Sequence, residues 1–110
     1  VSKKTALNMS KADRDAVDLD GQRLDVACSR LSLAAERRRL RVLTVLSQGE
    51  RTAGELGEMF GADYTAMSAV LAPLKVSGFV DVRTDGRYKV YNLSELGWVV
   101  VKAADAMASI

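Results

Sequence analysis

Arginine is the residue whose abundance and spacing point to chemistry in this chain. Six arginines (Arg30, Arg37, Arg38, Arg39, Arg41 and Arg51) face only Glu36 and Glu50 between positions 30 and 51, a balance of +4 in twenty-two residues. Guanidinium groups at that density suit phosphate, so the cluster fits an electrostatic footprint for nucleic acid; without a ligand it is a solvated helix face. A second basic set, Arg83, Arg87 and Lys89, flanks Asp85-Gly86 and would suit phosphates or a minor groove, offset in part by Asp81 and Asp85. Other chemistry is scarce. The sequence has no histidine and one cysteine, Cys28, which removes Cys/His zinc sites, Ser-His-Asp and Cys-His catalysis, and any intrachain disulfide. The remaining carboxylates, Ser, Tyr and Lys form no catalytic constellation, and no strand-turn-helix phosphate loop is present, so no enzyme is expected.

The elements that must position these arginines belong to one small domain. The chain has 110 residues, 48% of them hydrophobic, with one proline and a net charge of +2. It contains no run of eighteen apolar residues, which excludes a membrane span, and no low-complexity tract. Lys3 and Lys4 have no apolar segment behind them, so a signal peptide or membrane anchor is not expected and the cytoplasm is the expected compartment. Residues 1–19 read as a flexible N-terminal arm, polar and free of aromatics, and residues 1–20 are charge-balanced (Lys3, Lys4, Lys11 and Arg14 against Asp13, Asp15, Asp18 and Asp20). Residues 20–110 read as the folded domain. Within it, residues 52–77 carry Lys75 against Glu55, Glu58 and Asp63, a balance of −2.

Hydrophobic periodicity predicts five helices and one hairpin. The first helix runs from about Asp20 to Leu31, with Leu24, Ala27, Cys28 and Leu31 on one stripe; Cys28 there reads as a small buried hydrophobe, with a reactive thiol or interchain disulfide as the alternative. The second starts near Ala34 and carries Leu40, Val42, Leu43, Val45 and Leu46 until Gly49. Thr52 and Glu55 form a capping box for a short third helix ending at Gly61. Asp63 caps a fourth, with Met67, Val70, Leu71 and Leu74 inward, up to Gly78. From Phe79 to Leu93 the period changes to two, a hairpin whose three-residue loop, Thr84 to Gly86, would pair Val82 with Tyr88 and Val80 with Val90. Arg83 and Arg87 would then share the other face with Asp81 and Lys89. Ser94 caps a last helix with a seam of Leu96, Val99, Val100, Ala103, Ala104 and Met107, and with Trp98 and Val101 on a second apolar side. That is one more apolar face than a single domain needs, which suggests a dimer contact.

Two short helices joined through Gly61 and followed by a basic-tipped hairpin spell a mainly α (α+β) winged helix-turn-helix. Ala35 to Leu43, AERRRLRVL, resembles the ADPTRLRIL signature of the ArsR/SmtB regulators, and the segment from Gly49 to Ser94 continues the likeness without a gap. The resemblance implies a homodimeric DNA-binding transcriptional regulator, a repressor, whose first and last helices (Leu24, Ala27, Cys28 and Leu31; Leu96, Val99, Val100, Ala103 and Met107) form the dimer interface. It implies double-stranded DNA as partner and an operator read by two symmetry-related fourth helices.

Several residues depart from the family pattern. Where metal-sensing members carry a Cys-x-Cys pair, this chain has Thr52 and Gly54, and Asp105 is a lone carboxylate in the last helix; no metal or other cofactor is expected. An effector, small molecule or protein, is left unidentified. On the fourth helix, Ala69, Val70, Leu71 and Ala72 stand where the family often shows His-His-Leu-Lys. Base contacts then fall to Tyr64, Thr65 and Ser68, with Lys75 at the edge and Arg37, Arg38, Arg83, Arg87 and Lys89 on phosphate. Pro73 is expected to bend the helix or end it early. The competing reading is a winged-helix protein-interaction module in which the smooth Ala69/Ala72 face docks a partner protein.

Overall fold

The computed structural model describes residues 14–110. The first part of the expected arm, residues 1–13, lies outside that range. Five helices and three strands follow in the order α1 (Gly21–Ala34), α2 (Arg37–Leu46), β1 (Arg51–Thr52), α3 (Ala53–Phe60), α4 (Tyr64–Val76), β2 (Val80–Asp85), β3 (Tyr88–Leu93) and α5 (Glu95–Ala108). The strands form one antiparallel sheet in the order β1-β3-β2. This is the five-helix winged helix-turn-helix that the sequence predicts, with the two-residue strand β1 added.

The helix starts are set by side chains that accept otherwise unpaired backbone N–H groups. Asp20 accepts from Arg23, Asp63 from Ala66 and Ser94 from Gly97, and Thr52 and Glu55 form the reciprocal capping box. The first boundary differs from expectation. Ala34 ends α1 instead of opening α2, because its side chain enters the core and the extended Glu36 accepts from the amides of Arg38 and Arg39 at 3.0 and 3.2 Å. Those bonds hold the Glu36 carboxyl below the usual range, so its capping contribution is full at neutral pH and is lost as pH falls through the lowered value.

α4 also departs from expectation, since it continues past Pro73 to Val76. A proline removes one backbone bond, but Leu71 and Leu74 on either side are buried and hold the segment against the core. The core joins Val42, Leu43 and Leu46 of α2, Leu56 of α3, and Met67, Leu71 and Leu74 of α4 to Phe79, Tyr91 and Leu93 of the wing region. α1 reaches it only near its C-terminal end, through Leu33 and Ala34.

The hairpin register is corrected by the structure. Val82 pairs with Tyr91 and Val80 with Leu93, and the loop has two residues, Gly86 and Arg87. Gly86 takes the left-handed φ of 62° that such a loop demands at its first position. The inward face is therefore Val80, Val82, Tyr91 and Leu93, while Tyr88 is exposed on the opposite face. Alternation alone permits either pairing; burying Tyr91 and Leu93 in the core shared with the helices selects this one.

Phe79 stitches the elements together. Its ring is fully buried, its amide donates to the Leu74 carbonyl at 2.9 Å, and its carbonyl accepts from the Ser94 amide at 3.1 Å. α5 crosses that carbonyl at Gly97, where an added Cβ would lie 2.2 Å from the Phe79 oxygen and 2.8 Å from a Leu93 methyl. Gly97→Ala is therefore expected to destabilise the fold by about 2 kcal/mol. Urea unfolding checks it: the midpoint should fall with the slope unchanged.

Candidate nucleic-acid interface

α3, the turn at Gly61–Ala62 and α4 form the unit that presents a helix to a partner. Gly61 closes α3 with φ 65°, and the Ala62 amide donates to the Gly57 carbonyl at 2.8 Å. Gly57 lies so close to the turn that a Cβ there would sit 2.5 Å from the Ala62 oxygen. α4 leaves this turn with its inner stripe, Met67, Leu71 and Leu74, buried, which fixes its rotation about its own axis. Thr65, Ala69 and Ala72 then face outward with Val76, which is 87% exposed. Ser68 on this side is half-buried, and Tyr64 and Lys75 are exposed at the edge. Tyr64 also lies near the sheet: burial first, and then the Tyr64 phenol, push the Tyr91 hydroxyl up.

The basic residues separate into free and engaged groups. Arg87 occupies the second loop position at the wing tip and is exposed, as is Lys89, which stands opposite Thr84 on β3. Arg83 is engaged. Its guanidinium makes a close ion pair with Glu50 and a longer one, 3.8 Å, with Asp85, and Glu50 holds its pKa above the ordinary value. Because Arg83 pairs in register with Val90 of the central strand and Glu50 precedes β1, the side chain straps the outer face of the sheet from edge to edge. Val90 on that face is buried.

Around the α2 start, Arg37 and Arg38 are exposed, with Arg38 3.9 Å from Glu36. Arg39 turns back to donate to the Leu33 carbonyl at 3.3 Å, and Arg41 lies over the Phe60 ring at 4.5 Å. The sequence reading missed the Glu50 partner of Arg83, because a carboxylate thirty-three positions away carries no local signal.

The residues expected at a dimer interface divide likewise. Leu24, Leu31, Val99 and Met107 are exposed in the single chain, Leu31 at 62% and Met107 at 66%. Ala27 and Ala103 are half-buried, and Leu96 and Val100 already pack against the chain's own core. Cys28, expected as a small buried hydrophobe, is exposed, because α1 stands away from the body over most of its length. No helix among the described residues is long and apolar enough to cross a membrane.

Comparison with known proteins places this geometry among regulators. The chain is 37% identical over 60 residues to the HTH-type transcriptional regulator Rv0324 of Mycobacterium tuberculosis, a match covering 54% of this chain and 26% of that protein. The matched segment thus spans about a quarter of that curated relative. Among solved structures, the transcriptional regulator HlyU from Vibrio vulnificus CMCP6 is 30% identical with a TM-score of 0.69, covering 78% of this chain and 91% of that one. The homodimeric winged helix-turn-helix DNA-binding domain (fragment 1–100) of Mb0332 from Mycobacterium bovis, described as a possible ArsR-family transcriptional regulator, is 28% identical. Its TM-score is 0.73, with 86% of this chain and 91% of that one covered. No protein-family model matches the chain.

The strap yields a prediction about the wing. Glu50→Ala should leave α3 and α4 as protected as before and accelerate amide exchange in the β2–β3 hairpin by roughly threefold to tenfold. Hydrogen exchange followed residue by residue measures this, and unchanged hairpin rates would remove Arg83 from any role in holding the wing.

Proposed function

The chain belongs to the ArsR family of winged helix-turn-helix transcriptional regulators, and from that membership we propose that it acts as a homodimeric repressor on a pseudo-palindromic operator. The observation that carries this reading is α4, rotated by its buried stripe so that Thr65, Ser68, Ala69 and Ala72 lie on its uncovered side. A helix so held enters a major groove, and a basic wing tip contacts the adjacent backbone. Thr65, Ser68 and Tyr64 supply the hydrogen-bonding groups toward bases, and Ala69 and Ala72 supply methyl contacts of the kind that meet thymine. Lys75, Arg87, Lys89, Arg37 and Arg38 serve phosphate. Arg83 serves the wing's position first, since two carboxylates already hold it.

The dimer follows from apolar surface. Leu24 and Leu31 of α1, with Val99 and Met107 of α5, are large apolar side chains left exposed on a lone protomer, and pairing those helices across a two-fold axis would cover them. The homodimeric state of the Mb0332 domain supports that arrangement. Regulation without a metal follows from Thr52 and Gly54, neither of which offers a soft ligand. Sedimentation at micromolar concentration is expected to give a dimer. Leu31→Glu with Met107→Glu should shift it to monomer while α2 to α4 stay folded by circular dichroism, and a wild-type monomer would remove the two-fold operator from the mechanism.

DNA binding tests the central reading. Affinity should fall by about 10³ or more between about 50 and 200 mM salt if six or more phosphates are neutralised across the dimer. Arg87→Ala should weaken operator and random DNA by similar factors and lower the salt slope. Replacing Thr65 and Ser68 together by Ala should cost about 1–3 kcal/mol of base discrimination and leave random-sequence affinity nearly unchanged. Binding that ignores salt would instead favour a protein partner on the Ala69/Ala72 face.

A further inference from the structure

A recess of about 210 Å³ opens where α2, the end of α3 and the first half of α4 converge. Its floor is apolar: Val42 and Met67 are buried, and Phe60 and Val70 are half-buried beside them. At its rim stand two guanidinium groups, Arg38 and Arg41, and no carboxylate lines it. Arg41 makes no ion pair among the described residues; its guanidinium carbon lies 4.5 Å from the centroid of the Phe60 ring, a contact that positions the charge without neutralising it. An uncompensated, pre-positioned cation above an apolar floor selects a ligand with a matching division, an anionic head on a short apolar body. A backbone phosphate would satisfy the cations and leave the floor unused.

We propose that this recess binds a small amphipathic carboxylate, of about the size of one aromatic ring with its acid group, and that occupancy sets the angle between α3 and α4. The site touches both arms of the helix-turn-helix: Phe60 and Ala62 precede α4, and Ala66, Met67 and Val70 belong to it. A ligand wedged there has a different affinity for each elbow angle, which is the requirement for shifting one conformation over another. The regulatory consequence rests on the DNA-binding reading above; the site itself does not.

Sodium benzoate, with benzamide as its uncharged counterpart, tests the site on the full chain by residue-resolved NMR titration at constant ionic strength. Benzoate should give saturable shifts at Phe60, Ala62, Ala66 and Val70 with a Kd of about 1 mM or tighter, the range open to a ligand of about nine non-hydrogen atoms. Arg41→Gln, at an exposed position, should weaken it about fivefold or more, and benzamide should not saturate. Equal binding of benzamide, shifts centred elsewhere, or the same shifts from inorganic phosphate would overturn the assignment. In a second arm, saturating benzoate should change operator affinity about fivefold or more. Unchanged affinity would overturn the regulatory half, whereas a chain that binds benzoate but no DNA would count against the regulator reading and leave the site standing.

Discussion

The structure depends on the seam at Phe79. Its buried ring, its amide bonded to Leu74 and its carbonyl bonded to Ser94 tie the end of α4, the start of β2 and the start of α5 into one junction. Ser94 reinforces it by donating its hydroxyl to the Gly78 carbonyl while accepting from the Gly97 amide. α5 can approach only because Gly97 has no side chain to strike the Phe79 carbonyl. The consequence reaches beyond stability. The wing is anchored at one end by this junction, and the inner stripe of α4 is pressed against the same core, so the helix and the hairpin take their places from a single packing arrangement.

A second constraint acts at the other edge of the sheet. β1 is only two residues long, yet it pairs with the central strand, and Thr52 at its end is also the cap of α3. The Arg83–Glu50 ion pair spans the sheet beside it. The wing is thereby tied to the start of α3, and α3 meets α4 at the tight turn where Gly57 lies close to Ala62. Exposed ion pairs contribute little to global stability. Their effect here is on geometry, because the pair joins the two edges of the sheet across the central strand.

The outer surfaces have opposite characters. The outward face of α4 presents small, uncharged groups, with Lys75 only at its edge, so its surroundings must supply most of the affinity for a polyanion; exposed cations stand on the wing tip and around the start of α2. α1 and α5 expose several large apolar side chains, among them Leu24, Val26, Leu31, Val99 and Met107, which suit a permanent partner better than solvent. The recess under Arg41 lies between these regimes, with charge at its rim and a core-like floor.

Much of this was legible in the sequence, because capping, periodicity and glycine stops are local. Asp20, Thr52, Glu55, Asp63 and Ser94 mark helix starts that the structure places at those residues, and Gly61 marks a stop. The inward stripe of α4 and the exposure of Arg87 follow from spacing alone. What tertiary structure decided were the matters in which two local solutions compete or distant residues meet. Alternation along the hairpin fits more than one register, and only the burial of Tyr91 and Leu93 beneath the helices settled it. A proline near the end of α4 breaks a local rule, and the buried leucines beside it carried the helix through. The pairing of Arg83 with Glu50, the seating of Arg41 on Phe60 and the exposure of Cys28 on an outstanding α1 have no local signature. Each depends on which elements the core brings together, and side-chain spacing along one strand or helix does not encode that.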